Sequence, residues 1–103
     1  NERCRVSIPC KIMVEGKVYL GTAVNLSMGG VMVQFPLETS TMDMNRRQLG
    51  SISMILPKGQ LEARCKLIRV TPAGLAIQFH NFRRSPMEKL LLEYLETQLG
   101  DVW

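Results

Sequence analysis

From Val6 to Val14 every even position is apolar (Val6, Ile8, Cys10, Ile12, Val14), while Ser7, Pro9 and Lys11 stand at odd positions between them. A period of two marks a strand with one buried face, because successive side chains of an extended chain point to opposite sides. Such a strand needs partners along its edges, and the rest of the chain offers five more short β runs, over 17–24, 31–35, 49–56, 60–70 and 75–79. In the fifth run Leu61, Ala63, Cys65 and Leu67 share one face, and Glu62, Arg64 and Lys66 share the other. Glu15-Gly16 fits a hairpin turn, and Pro57-Lys58-Gly59 and Thr71-Pro72-Ala73-Gly74 punctuate the later runs. Pro9 is expected at a sheet edge or bend, and Gly21 at a bulge or bend. Residues 36–48 carry no period and read as a loop with Met42 and Met44 tucked beneath it. No internal repeat is evident.

The period then changes. Ser85-Pro86-Met87-Glu88 is a helix start, with Ser85 as N-cap, Pro86 in the first helical position and Glu88 closing a capping box. Met87, Leu90, Leu91, Tyr94, Leu95 and Gln98 follow at helical spacing, and Gly100 fits the position just past the end. The expected helix packs over the mouth or side of the β structure. Six short, closely spaced antiparallel strands fit a barrel, since closure removes exposed sheet edges. The expected fold is therefore mainly β: a six-stranded antiparallel β-barrel with a C-terminal α-helix. It forms a single domain over residues 1–103, with a flexible basic arm at 1–5, the barrel at 6–79 and the helix at 85–99.

Composition narrows the function. A formal charge of +4 favours an anionic partner, but the basic residues are scattered, with pairs only at Arg46-Arg47 and Arg83-Arg84. No block of like charge reads as a nucleic-acid tail. Three Phe, two Tyr and one Trp are too dispersed for a base-stacking face, so single-stranded nucleic acid is not the expected partner. No apolar run is long enough to insert in a membrane. The chain begins at Asn1 rather than Met, which fits a piece of a longer protein. Cys4 and Cys10 share one strand, roughly 20 Å apart at about 3.3 Å per residue, and cannot bridge each other. Reduced thiols in a cytoplasmic protein are the simplest reading, with Cys10 and Cys65 in the core. One His and no paired carboxylates leave no catalytic or metal constellation, and no cofactor is expected.

The stretch Asn25-Leu26-Ser27-Met28-Gly29-Gly30 lies between the second and third runs. It carries more polar chemistry than a turn needs. Asn25 offers an amide, Ser27 a hydroxyl, and residues two apart in extended chain share a side. The plain alternative is an Asx-type turn with a glycine bend.

The order of elements, the basic first segment and Asn25-x-Ser27-x-x-Gly30 after the second strand together resemble PilZ domains, bacterial receptors for cyclic di-GMP. That family carries RxxxR at its start and (D/N)xSxxG some twenty residues later. Gly74, the apolar strand ending at Phe79 and the leucine-rich helix are similar to its closing pattern. The resemblance implies a non-enzymatic cyclic di-GMP site at Arg3, Arg5, Asn25, Ser27 and Gly30, relaying a signal to a protein partner or linked domain. It implies that an arginine grips a phosphate or guanine of the ligand, and that Asn25 and Ser27 bond a guanine edge or order the loop that does.

The first motif departs from the family. Arg5 stands at the second arginine of RxxxR, but Asn1 stands at the first. Three readings are open. The sequence starts without the true arginine; or Arg3 takes its place from a shifted arm; or the domain is a degenerate member, an adaptor that works through protein contacts without the nucleotide.

Overall fold

A computed structural model describes residues 3–100. It contains β1 (Cys4–Val14), β2 (Lys17–Leu26), β3 (Gly30–Gln34), β4 (Leu49–Leu56), β5 (Gly59–Thr71), β6 (Gly74–His80) and α1 (Pro86–Gly100). The strands form a closed antiparallel barrel in the order β1-β2-β3-β6-β5-β4. Each strand places its alternate apolar residues inward, and among the described residues every buried side chain is apolar.

The β1–β2 hairpin turns at Glu15 and Gly16, both with positive φ (49° and 77°), the two-residue turn that matches strand twist. Pro9 is the first residue of β1 beyond its ladder to β4, which runs from Cys10 to Met13. There it pairs with β2 alone, so the missing N–H costs no ladder bond on the β4 side. The first strand begins at Cys4, inside the segment expected to be an arm: Cys4 pairs with Leu26 and Arg5 with Asn25. Asn1 and Trp103 lie outside the described residues.

Three expectations need correction. Gly21 is not at a bulge; it pairs regularly with Cys10. A β-carbon there would press on the Gln34 carbonyl at 2.7 Å and the Phe35 ring at 2.8 Å, so glycine serves close packing. Of the loop methionines, Met44 is buried (4% exposed) but Met42 stands out in solvent (90%). Finally, the chain does contain a repeat. Shifting the β2–β3 pairs Thr22↔Gln34, Ala23↔Val33, Asn25↔Met32 and Leu26↔Val31 by 44 positions reproduces the β5–β6 pairs Lys66↔Gln78, Leu67↔Ile77, Arg69↔Ala76 and Val70↔Leu75. Met32 and Ala76, themselves 44 apart, pair with each other at the centre of the β3–β6 ladder. The two halves are thus related by a pseudo-two-fold axis at Met32–Ala76. Of the equivalent stretches Asn25–Gly30 and Arg69–Gly74 only the final glycine is shared, which hides the repeat from the sequence.

Helix α1 packs on β5 and β1. Leu91 and Leu95 are buried, with Met87, Leu90 and Tyr94 half-buried against the same core. The Ser85 hydroxyl accepts from the Glu88 N–H (3.3 Å), as an N-cap should. Glu88 reaches back to the Arg84 N–H (3.0 Å), one residue before the position a capping box uses.

Candidate functional site

Two irregularities in the sheet create the site. On β2, Ala23 faces Val33 and Asn25 faces Met32, so Val24 is an extra residue. On β5, Leu67 faces Ile77 and Arg69 faces Ala76, so Ile68 is extra. A bulge shifts the alternation by one, and everything past it changes face. In unbroken alternation Asn25 would follow Ala23 into the core, and Arg69 would follow Leu67. The bulges turn both polar side chains outward on the same level of the barrel. One cross-strand row then runs Arg5–Asn25–Met32–Ala76–Arg69 over five strands, β1, β2, β3, β6 and β5.

An open cleft of about 560 Å³ lies over this row, lined among others by Arg3, Asn25, Ser27, Gly30, Arg69 and Gln78. Four of the five residues expected from the sequence therefore meet in one cleft. Arg5 flanks it beside Asn25 without lining it. The Arg3 guanidinium approaches the Met32 sulfur at 3.9 Å, on the cleft floor. Among the described residues no carboxylate lines the cleft, and Arg3 and Arg69 give it a positive potential suited to an anion.

The turn residues are held by local bonds. The Ser27 N–H donates to the Gly30 carbonyl at 2.9 Å. The Ser27 hydroxyl accepts from the Gly29 N–H at 3.2 Å and donates to the Gly30 carbonyl at 3.4 Å. The Gly29 carbonyl accepts from the Phe79 N–H at 2.9 Å, fastening the turn to β6. Gly30 has no positive φ; its role is proximity, since a β-carbon would collide with the Ile77 carbonyl across the ladder. Ser27 and Gly30 thus build the turn, while Arg3, Asn25, Arg69 and Gln78 present side chains to whatever fills the cleft.

Sequence reasoning missed Arg69 and Gln78. The signal for Arg69 was present: a charged residue at the next odd position after Leu61, Ala63, Cys65 and Leu67, where strict alternation demands an apolar one. A second opening of about 720 Å³ adjoins the cleft through Gly29 and Gln78 and reaches Phe82, Arg83 and Glu88 at the start of α1. Phe79 and Phe82 stack there with ring centroids 4.6 Å apart. Among the described residues no group of three His, Cys, Asp or Glu side chains could hold a metal ion, and no helix is long and apolar enough to cross a membrane.

The family model for the PilZ domain matches residues 1–97. No curated protein gives a significant match. Among solved structures, the PilZ domain of CeSA from a cellulose-synthesizing bacterium is 18% identical with a TM-score of 0.69, each chain covered in full. K. pneumonia MrkH in its apo state is 15% identical with a TM-score of 0.78; the match covers 98% of this chain and 51% of that one. YcgR from Escherichia coli, solved in complex with c-di-GMP, is 16% identical with a TM-score of 0.68, covering 98% of this chain and 46% of that one. The chain therefore spans about half the length of the last two. At these identities the likeness is one of fold.

Proposed function

The chain belongs to the PilZ domain family, and from that premise we propose that it is a receptor domain for cyclic di-GMP, a cytoplasmic module that relays the signal to a protein partner or a linked domain. The observation that carries this is the cleft in which Arg3, Asn25, Ser27 and Gly30 converge beside Arg69. YcgR, a structural neighbour, is known in complex with the same nucleotide.

Each residue has a task that its chemistry fits. Arg3, and Arg5 beside it, grip a phosphate or the O6 and N7 acceptors of a guanine; a guanidinium does either with two parallel bonds. Asn25 donates and accepts at the edge of a base. Ser27 and Gly30 keep the turn in the shape that leaves the cleft open. Binding draws Arg3, which directly precedes β1, onto the ligand and so changes how the start of the barrel meets what it is joined to. Nothing in this chemistry calls for catalysis: the site binds and releases.

Calorimetric titration of cyclic di-GMP into the chain tests the reading. Micromolar or tighter binding is expected, lost in Asn25→Ala and Ser27→Ala. A second reading, an adaptor that keeps the barrel and works through protein contacts alone, is favoured by Asn1 standing where the family has arginine. It predicts no heat and no thermal shift, also in a chain extended upstream of Asn1.

A further inference from the structure

The pseudo-two-fold axis at Met32–Ala76 runs through the floor of the cleft, since both residues line it. The repeat extends beyond strand pairing into the turns. The Thr71 hydroxyl accepts from the Ala73 N–H (3.3 Å) and donates to the Gly74 carbonyl (3.2 Å), as Ser27 does with Gly29 and Gly30. The Phe35 N–H donates to the Ala73 carbonyl at 2.9 Å, as Phe79 does to Gly29. A β-carbon on Gly74 would collide with the Val33 carbonyl, as one on Gly30 would with Ile77. The bulges at Val24 and Ile68 are equivalent too. Under this operation Asn25 maps onto Arg69. The second motif therefore reads Arg69-x-Thr71-x-x-Gly74, and its polar reader lines the same cleft as Asn25 from the opposite side of the axis.

Cyclic di-GMP is itself two-fold symmetric, with two identical guanylate halves. Asn25 and Arg69 lie three strand spacings apart, about 14 Å at roughly 4.8 Å per strand, with Met32 and Ala76 between them. Resting on the receptor reading above, we propose that the bound dinucleotide straddles the Met32–Ala76 axis, one guanylate half toward Arg3 and Asn25 and the other anchored by Arg69. The two half-sites are deliberately unlike. Asn25 is neutral and reads a base edge, whereas Arg69 supplies charge and a planar face. Gln78 adds an amide on the β6 side of the cleft. Linking two weak half-sites through one ligand multiplies their contributions, which makes the cyclic dinucleotide a far better ligand than its half.

The test compares cyclic di-GMP with guanosine 5′-monophosphate, each titrated into the chain and into Arg69→Ala. The wild-type chain should prefer the dinucleotide by at least about 100-fold. Arg69→Ala should weaken the dinucleotide about 10- to 100-fold and leave the mononucleotide within about twofold, so the preference collapses. The melting temperature without ligand should not move, because Arg69 is exposed. Arg69→Lys should restore part of the loss. Dinucleotide binding that Asn25→Ala abolishes and Arg69→Ala leaves intact would overturn the second half-site while the receptor reading stands. Equal loss of both nucleotides in Arg69→Ala would also overturn it, as a general electrostatic effect. A wild-type chain that binds neither nucleotide would overturn both proposals.

Discussion

Gly30 sits so close to the Ile77 carbonyl on the neighbouring strand that a methyl group on its α-carbon would land on the oxygen. The obstacle is backbone, held in the β3–β6 ladder, and cannot step aside as a side chain can. Gly30→Ala should therefore cost at least about 2 kcal/mol of folding free energy, measured by urea denaturation. Gly16→Ala makes a useful contrast. Nothing lies within 4 Å of a β-carbon there, but φ is +77°; the expected cost is about 1 kcal/mol, from the left-handed backbone alone. Equal stability of Gly30→Ala and wild type would mean that the two strands do not approach this closely.

Ser27→Ala removes a hydroxyl that both accepts from Gly29 and donates to Gly30. A loss of about 1 kcal/mol is expected, with Thr71→Ala at the equivalent turn costing a similar amount. Nucleotide affinity should respond differently: Ser27→Ala should weaken it at least tenfold by loosening the turn beside the cleft. A parallel loss from Thr71→Ala would show that the equivalent turn beyond Arg69 supports the ligand as well.

Arg3 and Arg5 are separable. Arg3 lines the cleft, whereas Arg5 flanks it. A desolvated charge-assisted hydrogen bond is worth about 1.5–3 kcal/mol, and about 1.4 kcal/mol is tenfold in affinity. Arg3→Ala should weaken cyclic di-GMP about 10- to 100-fold, and Arg5→Ala less. The reverse order in a titration would place the second arginine of the family motif at the ligand and leave Arg3 as solvated charge.

Burial pushes the thiols of Cys10 and Cys65 up to about 11 from an ordinary value of 9.0. The folded state thus holds these protons more tightly than the unfolded chain. Their contribution to stability is complete below pH 9 and is lost as pH rises from 9 through 11, the window in which thiolate forms freely only on unfolding. Iodoacetamide at pH 8 should label half-buried Cys4 while leaving Cys10 and Cys65 unmodified until denaturant is added. Mass spectrometry of the labelled peptides reads this directly; rapid labelling of Cys65 in the native chain would contradict a closed barrel.

Much of this molecule is legible along the chain. The alternation Val6–Ile8–Cys10–Ile12–Val14, the Glu15-Gly16 turn and the Ser85-Pro86 helix start are local signals, each set by a few neighbouring residues and the period of the backbone. They place six strands and one helix, and the motif Asn25-x-Ser27-x-x-Gly30 marks where one side of the cleft will be. What the local signals do not carry is register. Whether Arg69 faces the core or the solvent depends on an extra residue, Ile68, that is extra only with respect to β6. The clash that fixes Gly30 exists only because Ile77, far along the chain, lies opposite. The pseudo-two-fold is written in paired strands while the two stretches share almost no residues. Sequence by itself determined which elements form and where the first half of the motif stands. The closed sheet decided which polar side chains share a face, because a one-residue shift between strands reverses every side chain beyond it and is settled only when the strands pair.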